Sequence, residues 1–149
     1  MQTNYSLTPD RGLPGLIANI APSVIDSFAC EGGIQAGELL IRGTDPENQV
    51  KAARTTGDGV KAIGVAIYAL KVAQAPDYYK EEDAVGVMRK GKIHVAVTKD
   101  VVAGNPALLI IDNGIAKFTD DTGTGEALTQ LNAVFETGTQ NGTAIISLG

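Results

Sequence analysis

Residues 83–111, DAVGVMRKGKIHVAVTKDVVAGNPALLII, decide how this chain is read. Val85 and Val87 alternate with small residues. Arg89, Lys90, Gly91 and Lys92 then interrupt, and Ile93, Val95 and Val97 resume the alternation with His94, Ala96 and Thr98 between them. A period of two places one set of side chains on one face of a sheet. A charged, glycine-containing interruption between two such runs predicts a β-hairpin with its tip at 89–92. Ala103-Gly104-Asn105-Pro106 is the next turn, and residues 107–111 are the next strand. Pro106 fits a strand start or an edge, where no ladder N–H is needed. The stretch therefore predicts a three-stranded meander.

The same grammar extends in both directions. Downstream, Asn113-Gly114 is a strong two-residue turn signal, with a returning strand at 115–119. After a polar loop, residues 132–137 and 143–148 predict a closing hairpin. Upstream, strands are predicted at 24–29, 38–42 and, pairing back, 49–53, followed by a long strand over 60–72. In that strand Ile63, Val65 and Ile67 share one face and Gly64 and Ala66 the other; the small face predicts close approach of another backbone, or a bulge at Gly64. The loop 73–82 carries the adjacent Tyr78 and Tyr79; it reads either as a lid on the barrel end or, if the pair is exposed, as an anchor for an interface. IQAGELLIRGTD (34–45) faintly echoes VVAGNPALLIIDNG (101–114), but two divergent copies do not make a repeat array.

Residues 1–23 behave differently. Pro9, Gly12, Pro14, Gly15 and Pro22 forbid a long helix, yet Leu13, Leu16, Ile17 and Ile20 are apolar. An apolar segment that cannot form its own element lies across something else, either its own domain or a neighbouring subunit. The expected organisation is an extended N-terminal arm, 1–23, and one compact all-β domain, 24–149. That domain is a barrel or sandwich of about eight to ten short strands.

Composition agrees. A chain of 149 residues with 18 glycines, six prolines, no tryptophan and few other aromatics must build a core of Val, Ile, Leu and Ala joined by many turns. The net charge of −5, with no basic stripe beyond residues 89–92, argues against nucleic acid as a partner. No apolar run approaches the roughly 18 residues of a membrane span, and the N-terminus lacks a signal pattern. No membrane partner is expected, and the chain is expected to be made and assembled in a cytoplasm. Cys30 is the single cysteine, so it reads as a small buried thiol, and no intrachain disulfide or multi-cysteine zinc site can form. Asn141-Gly142-Thr143 matches a glycosylation sequon and reads as a turn.

Catalytic patterns are sparse. His94 is the only histidine, which removes His-rich metal sites, and it sits mid-strand among apolar residues. No nucleophile elbow, phosphate loop or zinc-protease motif occurs. Asp121-Thr122-Gly123 matches the aspartic-protease tripeptide, but it lies in the very polar TDDTGTGE rather than after an apolar strand, and so reads as a turn. Glu81, Glu82 and Asp83 lack the alternating oxygen-ligand spacing of a calcium loop. No catalytic residue, cofactor or metal is expected.

Laid out in this way, the chain resembles the capsid cement, or decoration, proteins of tailed bacteriophages. The resemblance rests on GLPGLIANIAPSVIDSFACEGGIQAGELLIRGTDPENQVK (12–51), which looks like that family's apolar arm, strand and I-x-A-G-x-x-x-x-R-G-T-D phrase. It continues through VKAIGVAIYAL (60–70), through DAVGVMRKGKIHVAVTKDVVAGNPALLI (83–110), and through the terminal NAVFETGTQNGTAIISL (132–148). Together these cover most of 12–148. The resemblance implies a structural protein on the outside of the virion head, a homo-oligomer (dimer or trimer) that bridges major capsid protein subunits and stabilises the shell. Leu13, Leu16, Ile17, Ile20, Tyr78 and Tyr79 are the residues expected at capsid or subunit contacts. Two other classes remain open at this point. One is a receptor- or carbohydrate-binding head module, against which the lack of tryptophan platforms weighs; the other is a small aspartic-type hydrolase using Asp121.

Overall fold

The computed structural model describes residues 14–18, 22–68, 78–123, 126–128 and 132–149. Among these the chain forms twelve strand segments and one short 3-10 helix, Thr56–Lys61. The strands are β1 (Val24–Cys30), β2 (Ile34–Gln35), β3 (Leu39–Arg42), β4 (Gln49–Ala52), β5 (Gly64–Ala66) and β6 (Tyr78–Tyr79). They continue with β7 (Ala84–Ala96), β8 (Leu108–Asp112), β9 (Ile115–Thr119), β10 (Glu126–Ala127), β11 (Val134–Phe135) and β12 (Thr143–Leu148). The fold is all-β, as the alternation predicts.

The seven-stranded sheet runs β1-β4-β3-β5-β7-β12-β11, and β1 also pairs with β7. That extra pairing closes β1, β4, β3, β5 and β7 into a five-stranded barrel. The only parallel contact of the barrel, β1 with β4, is short, at Ala29↔Gln49 and Cys30↔Val50. Beside the barrel lies the sheet β10-β8-β9, whose β8–β9 hairpin turns through Asn113-Gly114. Both turn residues have positive φ, 51° and 77°, as a two-residue hairpin loop requires.

The strand that organises the chain is β7, and it is not a hairpin. It runs unbroken for 13 residues through Arg89–Lys92. The charge and glycine that suggested a tip instead mark a change of partner. Up to Lys90 the strand pairs with β1; from Gly91 to Ala96 it pairs with β12. At the junction Val24 opposes Lys90 while Ile25 opposes Met88, so two steps of β7 match one of β1. This is a β-bulge with Arg89 as the extra residue. Gly91, at φ 133°, takes a conformation that L side chains rarely adopt.

The bulge inverts which face of β7 looks where. Val85 and Val87 project into the barrel with Cys30, Leu40, Val50, Ala52 and Ala66. Met88, on the other face, joins an outer core that also holds Leu39, Val65, Phe118, Phe135 and Ile146. After the bulge Ile93, Val95 and Val97 enter this outer core, though they have the same odd parity as Val85 and Val87. The strands of the wall are thus buried on both sides, which explains why β3 reads LLI and β5 reads GVA rather than alternating with polar residues.

Two other expectations need correction, and a third holds. The long strand at 60–72 is shorter: Val60 belongs to the 3-10 helix and is exposed, and β5 covers only Gly64–Ala66; residues 69–77 lie outside the described residues. Ile63 and Val65 do not share a core, because Ile63 precedes the strand and packs with the barrel interior while Val65 faces the outer core. The close approach at Gly64 is real: a Cβ there would lie 2.5 Å from the Met88 carbonyl oxygen.

Candidate functional site

Residues 14–18, grouped with the arm on sequence, lie against β7 of the same chain. The Gly15 N–H donates to His94 O at 2.7 Å, the His94 N–H to Leu16 O at 2.9 Å, and the Ala18 N–H to Lys92 O at 3.0 Å. Ile17 bridges to Ile93, whose other edge is taken by Ile146 of β12. Ile17 nevertheless remains 44% exposed, and Leu16 is half-buried. Leu13 and Ile20 lie outside the described residues.

Of the tyrosine pair, β6 sets Tyr78 opposite Gln35 and Tyr79 opposite Ile34. Tyr79 is not the exposed anchor its loop position suggested. It is 1% exposed, packs in the barrel core, and its hydroxyl donates to Ile67 O at 2.6 Å. Burial raises its pKa. The ring packs in the barrel core beside Ile34 while its hydroxyl finds a carbonyl.

The exposed apolar side chains collect where sequence patterning gave no warning. Val24 and Ile25, consecutive on β1, are 47% and 39% exposed. They oppose Lys90 and Met88, close along β7 to Ile93, the bridge partner of Ile17. Elsewhere Val102 is 63% exposed, and the less exposed Val134 lines an open cavity of about 240 Å³ with Pro106, Ala107, Ala127, Leu128, Asn132 and Ala133.

The charged groups are structural in their contacts. Glu38, the residue before β3, is 2% exposed and meets the half-exposed Arg54 at 3.3 Å. Arg54 also donates to Gly33 O. Burial raises the Glu38 pKa, with Arg54 acting in opposition. Nothing in the sequence marks this glutamate as buried. Asp121 accepts from Lys99 Nζ at 2.7 Å and from the Gly123 N–H at 3.0 Å. The lysine bond comes first in holding its pKa down, the reverse of the shared-proton carboxylate that the protease reading requires. Asp83 accepts from the Lys80 N–H, closing the acidic run into a turn. Among the described residues no group of three or more His, Cys, Asp or Glu could hold a metal ion. Cys30 and His94 are buried.

What stands out in this geometry is the exposed apolar surface formed by Ile17, Val24 and Ile25. A chain in the solved capsid of Myoviridae phage XM1 has the same fold, with a TM-score of 0.71 at 16% identity, over 99% of this chain and 96% of that one. The N base of the head fiber gp8.5 of bacteriophage phi29 is more distant, with a TM-score of 0.47 at 15% identity, over 86% of this chain and 95% of that one. No curated protein is similar enough to count as a match. The family described as structural cement protein (E217 gp24/Pam3 gp6) matches residues 1–149. The chain belongs to this bacteriophage structural cement family and is a structural, capsid-associated virion protein.

Proposed function

We propose that the protein binds the outer surface of the phage head as a homo-oligomer, bridges neighbouring major capsid protein subunits, and stabilises the shell without catalysis. The observation that carries this reading is the family match across all 149 residues. The exposed Ile17, Val24 and Ile25 support it, because apolar side chains left at the surface of a compact domain gain roughly 1.5–3 kcal/mol each when a partner buries them. Leu13, Leu16, Ile17, Ile20 and Tyr78 are the residues proposed for capsid or subunit contacts. Tyr79 is excluded from direct contact by its burial. Assembly takes place in the host cytoplasm.

The test uses empty expanded heads that lack the protein. Full-length chain is added and the particles are imaged by electron cryomicroscopy, with expected density on the outer face between capsomers. A chain lacking residues 1–13 should keep its melting temperature, since the 14–18 pairing with β7 stays intact, and should bind heads about tenfold or more weakly. Absence of outer density with the full chain overturns the reading.

A further inference from the structure

Two glycine phrases far apart in the sequence meet in the fold. Pro14-Gly15 ends the GLPG of 12–15, and Ala36-Gly37 ends the IQAG of 34–37. Both glycines are buried, and both have φ of 86°. Each occupies the space that a side chain on the other would need. A Cβ on Gly15 would lie 2.8 Å from Tyr68 N, 2.9 Å from Ala36 Cβ and 2.9 Å from Gly37 N. A Cβ on Gly37 would lie 2.7 Å from Pro14 Cβ and 3.0 Å from Gly15 N. Any other residue at either position must push the two segments apart. The turn at 35–38 is tied to the barrel without the arm: the Glu38 N–H donates to Gln35 O, the Gly37 N–H to Ala66 O and the Ala66 N–H to Glu38 O. Gly15 is tied at both ends, its N–H donating to His94 O on β7 and its carbonyl accepting from the Tyr68 N–H, just beyond β5, at 2.8 Å.

We infer that Pro14-Gly15 and Ala36-Gly37 form a latch that holds the N-terminal arm on its own domain and fixes the point at which residues 1–13 begin. The arm is not held there by burying its apolar side chains, since Ile17 stays 44% exposed and Leu16 is half-buried. It is held by its backbone, through Gly15, Leu16 and Ala18 on β7, through Tyr68, and through the close approach that only two glycines permit. Gly15 and Gly37 are therefore positioning residues that act through the arm. An arm anchored at a fixed point loses less freedom on docking than a free chain, so the latch favours head binding by preorganisation. That last step rests on the capsid reading above; the latch itself does not.

The experiment uses the full-length chain. Gly37→Ala sets a methyl group against Pro14 and Gly15, and Gly15→Ala sets one against Tyr68 and Gly37. Gly32→Ala is the control: its φ, 77°, is also positive, but a Cβ there meets nothing within 4 Å, so it carries the backbone cost without the displacement. Hydrogen exchange reads the latch from the body of the domain. The Tyr68 and His94 amides, which donate to Gly15 O and Leu16 O, should exchange about tenfold faster in Gly15→Ala and Gly37→Ala than in Gly32→Ala. The Ala66 amide should stay protected in all three. The double variant should open no further than the weaker single one, because one opening relieves both clashes. Binding to empty expanded heads in co-sedimentation should fall about tenfold for Gly37→Ala and hold for Gly32→Ala. Unchanged exchange at Tyr68 and His94 in both variants overturns the latch. So does loss of Ala66 protection in Gly15→Ala, which would make the seam part of the barrel core. His94 protection that falls on diluting the unmodified chain overturns it in favour of an arm from a second copy. Full head binding by an unlatched Gly37→Ala overturns the positioning role. If the unmodified chain fails to bind heads, the capsid reading falls, and the exchange results still decide the latch.

Discussion

The two halves of β7 are made of nearly the same material and do different work. Residues 84–90 form a wall of the barrel, with β1 on one edge and β5 on the other; residues 91–96 lie between β12 and the segment 14–18. Both halves present valine or isoleucine at odd positions. In the first half those side chains fill the barrel, and in the second they fill the outer core. Hydrophobic parity therefore identifies a buried face without saying which core it belongs to. One extra residue, at Arg89, exchanges the two faces of the strand, and the face exchange lets a single strand serve both cores.

The largest expected effect tests this division. Val85→Asp and Val95→Asp each bury an unpaired carboxylate at a fully buried position, and each should cost several kcal/mol in urea unfolding. The two should differ in what is lost. Tyr79 packs with Val85 in the barrel core, so its ring signals in NMR should be perturbed by Val85→Asp. The Phe118 and Phe135 signals should respond to Val95→Asp. A variant that leaves stability intact would place that side chain on the wrong face.

The same strand explains how far the sequence could be read. Turns closed by local chemistry were legible: Asn113-Gly114 sets its hairpin through its own backbone conformations, and residues 115–119 form β9 as expected. The eight strands of three or more residues fall within the expected number. Residues 89–92 were not legible, because charge plus glycine is the signature of a hairpin tip and of a bulge alike. Only the choice of partner separates the two, and that choice is made by β1 and β12, more than 40 residues away on either side. Tyr79 was missed for a similar reason. Its neighbours KEED are polar, but the volume it fills is created by distant strands. The exposed apolar side chains were no easier to read: Ile17 lies in a Pro- and Gly-broken segment expected to lie across another surface, and Val24 and Ile25 lie in an ordinary strand, so no local pattern announces their exposure.

A smaller effect probes the hand-over itself. Gly91→Ala and Gly114→Ala both force alanine into a positive-φ conformation. At Gly114 a Cβ meets nothing within 4 Å, so the cost should be the backbone preference alone, about 1–2 kcal/mol. At Gly91 the added Cβ would also lie 2.8 Å from Ser23 Cβ and 3.2 Å from Met88 Sδ. The loss there should be clearly larger, and it should be accompanied by faster amide exchange in both β1 and β12. Equal losses at the two sites would mean that the junction relaxes freely and does not hold the two halves of β7 in register.

The smallest effect separates the two cores by pH. Among the described residues the one buried carboxylate belongs to the barrel, where the row that contains Leu40 begins with the buried Glu38 and ends with the exposed Arg42. Burial raises the Glu38 pKa above its unfolded value, so between those two values the folded state binds more protons than the unfolded state. Stability should then fall as pH rises through that window. Glu31 and Asp120 contribute with the opposite sign. Side-chain hydrogen bonds from Thr44 and Asn105 hold their pKa values down, so their contribution is present above the unfolded value and is lost as pH falls through the folded one. Glu38→Gln keeps the shape and a polar group near Arg54 but removes the titration. Urea unfolding of the variant should lose the decline above the ordinary carboxylate range and retain the acid loss below it. Arg54→Ala should act in the other direction, steepening the decline by leaving the buried carboxylate without its cation. A Glu38→Gln profile that tracks the unmodified protein at every pH would mean that Glu38 is as well solvated folded as unfolded, and the barrel would then have no polar plug to distinguish it from the outer core.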